Sequence, residues 1–134
     1  MPKILRAIST VLLACFWAAC APKPTAQPAS EQSLAVGAGV YEQYCAICHF
    51  DGEGNPIVPS IVGAPSVGQP DATELLRIIL HGSSSDRGIM PKQDFLTDEE
   101  AAGVAAYVRK TYGNIDLAVS TELAARVRAQ KATP

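Results

Sequence analysis

The run Cys45-Ala46-Ile47-Cys48-His49 restricts this chain more than any other feature of it. Two thiols three positions apart lie one helical turn from each other, and a histidine follows at once. In that arrangement both sulfurs can add along one edge of a haem while the imidazole falls beneath the iron. The spacing therefore predicts covalent attachment of one haem c through Cys45 and Cys48, with His49 as an axial ligand of the iron. Four cysteines are present, and setting aside Cys15 and Cys20 near the N-terminus leaves Cys45 and Cys48 as the remaining thiols. A thioredoxin-like redox pair shares the spacing but needs alternating strands and helices, for which there is no pattern here. A structural zinc site would have to recruit His81 from far along the chain as its fourth ligand. A disulfide across two intervening residues would contribute little to so small a core.

A bound cofactor also suits the composition. The chain has 134 residues and only 6% aromatics, thin material for a compact interior. Domains of this size often rely on a disulfide, a metal or a cofactor to complete the core.

The N-terminus reads as an export signal. Lys3 and Arg6 precede an uncharged, mostly apolar run from Ala7 to Ala19, which is short for a membrane span. Cys20 follows Ala18-Ala19 and leads into Ala-Pro-Lys-Pro, which resembles a bacterial lipoprotein signal over residues 1–19. Cys20 would then be lipidated and tether the protein to a membrane in the periplasm. Cys15 is a rival site, and plain cleavage near Ala19 to Ala21 would release a soluble periplasmic protein. Loss of residues 1–19 leaves nine basic against thirteen acidic residues, a balance that argues against nucleic-acid binding.

Residues 20–33, rich in Ala, Pro, Gln and Ser, are expected to be a flexible linker. A folded domain is expected over 34–114. Val36, Val40, Tyr41 and Tyr44 recur at helical spacing towards Ile47. Residues 50–70 are rich in Gly and Pro and read as loop. Asp71 to Leu80 reads as a short helix with Gly82 just past its end. Residues 82–96 read as a second loop. Thr97 and Glu100 have the spacing of a capping box, and Ala101, Val104, Ala105 and Val108 give that helix its apolar stripe up to Gly113. Residues 115–134 form a tail with helical spacing over Leu117 to Gln130. No alternation is long enough for a sheet, so the expected class is all-α.

For the sixth position on the iron the chain offers Met90 and His81, since the other methionine is Met1 and the other histidine is His49. Met90 lies in Gly88-Ile89-Met90-Pro91, where a thioether can be aimed from a loop, and is favoured. His81 sits at a helix end, a common place for a histidine bonded to backbone carbonyls. A ligating imidazole also donates its second N–H to a fixed acceptor, and Pro56 and Pro59 both offer carbonyls.

Over roughly residues 34–114 the ordered motifs resemble the class I c-type cytochromes. Gly37 and Tyr41 precede the cysteines as in that family's N-terminal helix, which would cross the C-terminal helix at Val104 and Tyr107. The paired cysteines and His49, Gly52, Gly54, Pro59, the Leu75–His81 helix and Met90-Pro91 follow in order. The resemblance implies three or more helices wrapped around one covalently bound haem, Pro59 as backbone acceptor for His49, and Met90 as distal ligand. Leu80-His81-Gly82, Ile89-Met90-Pro91 and Leu96 to Glu100 are similar to cytochrome domains that serve bacterial periplasmic dehydrogenases.

With both axial positions filled, the expected function is single-electron transfer between a donor such as a dehydrogenase and a respiratory acceptor such as an oxidase, with no catalysis. The alternative is a haem enzyme or gas sensor whose sixth ligand is labile, and the serines before Met90 suit it. Asp98, Glu99 and Glu100 are explained as acids opposite a helix dipole.

Overall fold

The computed structural model describes residues 26–86 and 88–130. The predicted signal, Cys20 and the following residues up to 25 lie outside them. Helix α1 spans Glu31–Val40 and runs without a break into a π-helical turn, Tyr41–Cys45, and a single α-turn, α2, Ala46–His49. Helix α3 covers Thr73–His81, α4 Asp98–Gly113 and α5 Thr121–Ala129.

The expected linker through residue 33 is shorter than its composition suggests. Ser30 caps α1 by accepting the Ser33 N–H at 3.1 Å, and Glu31 favours the positive end of the helix dipole. The Gln27 carbonyl accepts the Ala118 N–H at 2.7 Å, and Ala29 packs against the core. A capping serine inside a polar run is what ends the linker early.

Helices α1 and α4 cross at two glycines. A Cβ added to Gly37 would overlap the Gly103 carbonyl oxygen and lie 2.8 Å from the Tyr107 Cβ. The crossing thus falls at the expected Tyr107 and at Gly103, one residue before the expected Val104. Tyr41 stacks beside it in a cluster with Tyr107 and Tyr112, ring centroids 5.5–5.6 Å away. Helix α4 starts at the expected capping box: Glu100 N–H donates to the Thr97 hydroxyl, and Thr97 N–H to the Glu100 carboxylate at 2.8 Å. It ends at Asn114 in the left-handed conformation. Its buried surface is wider than one stripe, with residues 101–106 all buried, because α1, α3 and α5 all pack against it.

Helix α3 contributes Leu75, Leu76, Ile79 and Leu80 to the core. The tail beyond 114 joins the same core: Ala124 and Val127 of α5 are fully buried, and Val119 nearly so.

Between α3 and α4 the expected loop over 82–96 contains a short hairpin, while the fold is otherwise helical as expected. Two three-residue strands, β1 (Ser83–Ser85) and β2 (Gly88–Met90), pair antiparallel with Ser83 opposite Met90. Strands this short cannot show a two-residue alternation, and three serines give no apolar face, so backbone pairing alone defines them. No helix of the described residues is long and apolar enough to cross a membrane.

Candidate functional site

The π-helical turn and α2 deliver Cys45, Cys48 and His49 in sequence. Cys45 is partly buried against the core while Cys48 is exposed, and both thiols are free. Burial, with Cys48 adding to it, pushes the Cys45 thiol up to about 11. The chain turns sharply after His49. Phe50 has a positive φ of 51°, a costly conformation for a bulky residue, and its carbonyl accepts the Tyr41 hydroxyl at 3.1 Å.

Residues 51–62, expected as loop, are fixed by their own bonds. Gly52 N–H donates to the His49 carbonyl at 2.8 Å, and the Gly52 carbonyl accepts from Ile61 N–H and the Ser60 hydroxyl. The Asn55 side chain accepts from Ile57 and Val58 N–H at 2.8 and 2.9 Å. Gly54, at φ +72°, sits where a Cβ would strike the Val58 carbonyl oxygen and the Pro59 carbonyl. These bonds fix the Pro59 carbonyl against His49. Burial holds the imidazole below its ordinary pKa and the Pro59 carbonyl partly offsets this, so the neutral ring dominates at pH 7. Nδ1 is buried without a hydrogen bond of ordinary geometry. Pro59 has no N–H, so its carbonyl is the group that acts on the ring.

Cys48, His49, Pro59 and Met90 line one cavity of about 260 Å³, walled mainly by Ile57, Val58, Ile61, Ala64, Ile78 and Ile89. Met90 reaches it from the end of β2. Cys45 does not line it. A second hollow of about 520 Å³ next to it contains Met90 and His81 but neither Cys48 nor His49. The smaller cavity, not the larger, gathers the predicted chemistry. His81 is turned to another task, since its Nε2–H donates to the Val127 carbonyl at 2.8 Å.

The donor set fits the haem that the spacing predicts. An imidazole and a thioether share an apolar chamber, and the buried, unpartnered Nδ1 together with the Pro59 carbonyl that acts on the ring is what a ligand needing a second-nitrogen acceptor would use. Ile57 and Ile89 are 76% and 79% exposed, apolar surface that a bound macrocycle would cover. Sequence reasoning does not foresee Phe50, whose backbone sets the exit from the motif, or the buried Arg109. Neither residue type advertises such a role.

Comparisons with known proteins place the chain in a family. Residues 32–108 match the family described as cytochrome c oxidase, cbb3-type, subunit III. The chain is 36% identical over 106 residues to the fructose dehydrogenase cytochrome subunit of Gluconobacter japonicus, covering 69% of this chain and 22% of that one. It is 38% identical over 88 residues to the cytochrome c subunit of the quinone alcohol dehydrogenase of Gluconobacter oxydans (strain 621H), covering 58% and 18%. The chain thus spans about a fifth of the length of these two relatives. Cytochrome c6 of Chlorolobion braunii is 36% identical over 80 residues, 58% of this chain and 90% of that protein. The chain belongs to the cytochrome c family, in the group described as cbb3-type oxidase subunit III.

Proposed function

We infer that this is an exported cytochrome with one haem c, carrying single electrons between a donor dehydrogenase and a respiratory acceptor. The observation that carries the reading is the convergence of Cys48, His49, Pro59 and Met90 on one apolar cavity. Cys45 and Cys48 would form the thioethers, and His49 and Met90 would hold the iron. When bound, the haem supplies an iron that alternates between ferrous and ferric states. The chain's part would be to supply both protein ligands to that iron in an apolar chamber. Pro59 takes the Nδ1 proton of His49 in a hydrogen bond and so fixes the ring and its tautomer. The Met90 thioether and the apolar walls favour the reduced state and keep substrate and water off the metal. No acid–base group is needed, and the protein does no substrate chemistry of its own. The dehydrogenase donor is supported by the two Gluconobacter relatives, both named as cytochrome subunits of dehydrogenases.

The test is the absorption spectrum of the haem-loaded chain with and without carbon monoxide. The native protein is expected to show the weak far-red sulfur-to-iron band and no response to carbon monoxide. Met90→Ala is expected to lose the band and bind carbon monoxide stoichiometrically when reduced. A native protein that binds the gas as readily as the variant would overturn the carrier reading in favour of an open-iron enzyme or sensor.

In this reading the domain works in the periplasm, tethered through lipidated Cys20. Cys20→Ser is expected to move the protein from the membrane to the soluble fraction, and unchanged membrane retention would sink the tether.

A further inference from the structure

The strands β1 and β2 that deliver Met90 are poorly packed. They stand between the 260 Å³ cavity and the 520 Å³ hollow, and Ile89, Met90 and Pro91 line both. Ile89 is 79% exposed, and the paired strands are three residues long. A two-stranded hairpin of that size has little stability of its own. Its position must therefore be set at its roots.

Both roots are tied to consecutive residues of α5. On the incoming side, His81, the last residue of α3, donates from Nε2 to the Val127 carbonyl at 2.8 Å. On the outgoing side, the Arg128 guanidinium donates to the Asp94 carbonyl at 2.9 Å and to the Leu96 carbonyl at 2.5 Å. Its Nε also pairs with the Asp98 carboxylate at 2.8 Å, at the first turn of α4. These bonds use the fixed fork of arginine, which a single lysine ammonium does not reproduce. Gln93 N–H donates to the Ile79 carbonyl at 2.9 Å and draws the two roots together. Helix α5 lies beyond residue 108, where the family match ends.

We propose that α5 is a clamp on the methionine-bearing segment 82–96, and that His81 and Arg128 are positioning residues for Met90. The mechanical part stands on the bonds above. The consequence for the iron rests on Met90 being its ligand. With the clamp closed, the segment is held at its two ends and the thioether stays over the cavity. With either root freed, the segment moves into the open hollow and the sixth position becomes accessible.

The test compares the haem-loaded native chain with Arg128→Met and His81→Phe, one at each root, so that failure of either variant to fold leaves the other. Amide hydrogen exchange of residues 82–96 is expected to speed up about tenfold or more in each variant, while exchange in α1 stays unchanged. Arg128→Lys should give an intermediate effect. Carbon monoxide should then bind the variants and not the native chain, with the far-red band fading on warming before helical structure is lost. Unchanged exchange in 82–96, or an equal rise in α1, overturns the clamp and leaves His81 and Arg128 as general stabilisers. Absence of the far-red band from the native chain overturns the Met90 ligation instead, and the exchange data still decide the clamp.

Discussion

Gly37→Val is expected to destabilise the domain by about 3 kcal/mol, lowering the melting temperature by roughly 12–24 °C. The first added carbon would overlap the Gly103 carbonyl oxygen and sit 2.5 Å from its carbon, both backbone atoms that no rotamer change can move. Tyr107 blocks the remaining side at 2.8 Å. The helices must separate, and the Tyr41–Tyr107 contact opens with them. Gly39, two residues along the same helix, faces open space, with nothing within 4 Å of where a Cβ would stand. Gly39→Ala is therefore expected to stabilise by about 1 kcal/mol through helix propensity alone. Thermal melts of the two variants check the pair. Similar melting temperatures would show that the crossing is looser than the glycine contact implies.

Arg109→Ala is the second large effect, about 3 kcal/mol of lost stability. Arg109 is 1% exposed, and burial holds its guanidinium below the ordinary arginine pKa. One terminal nitrogen donates to the Gln69 and Pro70 carbonyls at 2.8 and 2.7 Å, just before the turn in which Asp71 accepts from Thr73 and opens α3. Truncation leaves those carbonyls without a donor and opens a cavity in the interior. Arg109→Met keeps most of the stem and removes the charged head, so it separates packing from hydrogen bonding. Chemical denaturation should rank native above Met above Ala. Equal stability of Met and native would show that the buried charge contributes nothing net, as happens for some buried ions.

These two residues show what can and cannot be read from the chain. Gly37 is legible only through the family resemblance, which sets a small residue ahead of Tyr41 and the cysteines where the N-terminal helix crosses the C-terminal one. The capping pair Thr97 and Glu100 is legible because its bonds span three residues. The cysteine and histidine spacing is legible because all three side chains lie within five consecutive residues. Arg109 is not: its partners lie about forty residues away, and an arginine at that point of a helix normally faces solvent. Arg128 is hidden for the same reason, its acceptors lying 30 to 34 residues earlier. The hairpin is hidden because backbone pairing leaves no mark on three serines. The π-helical turn before Cys45 likewise depends on bonds rather than residue types.

The burial of α4 has a consequence for how such a protein can change over generations. Among its sixteen residues only Glu99, Lys110 and Thr111 are exposed, and the six from Ala101 to Ala106 are buried without a break. Most of those six are alanine or glycine, so almost every replacement is larger and meets a neighbour. Neutral drift along this helix is therefore narrow. The rim of the cavity is the opposite case: Ile57 and Ile89 are mostly exposed and lie outside the core. Substitutions there leave the packing of the helices nearly untouched, so that rim can vary while α4 stays fixed.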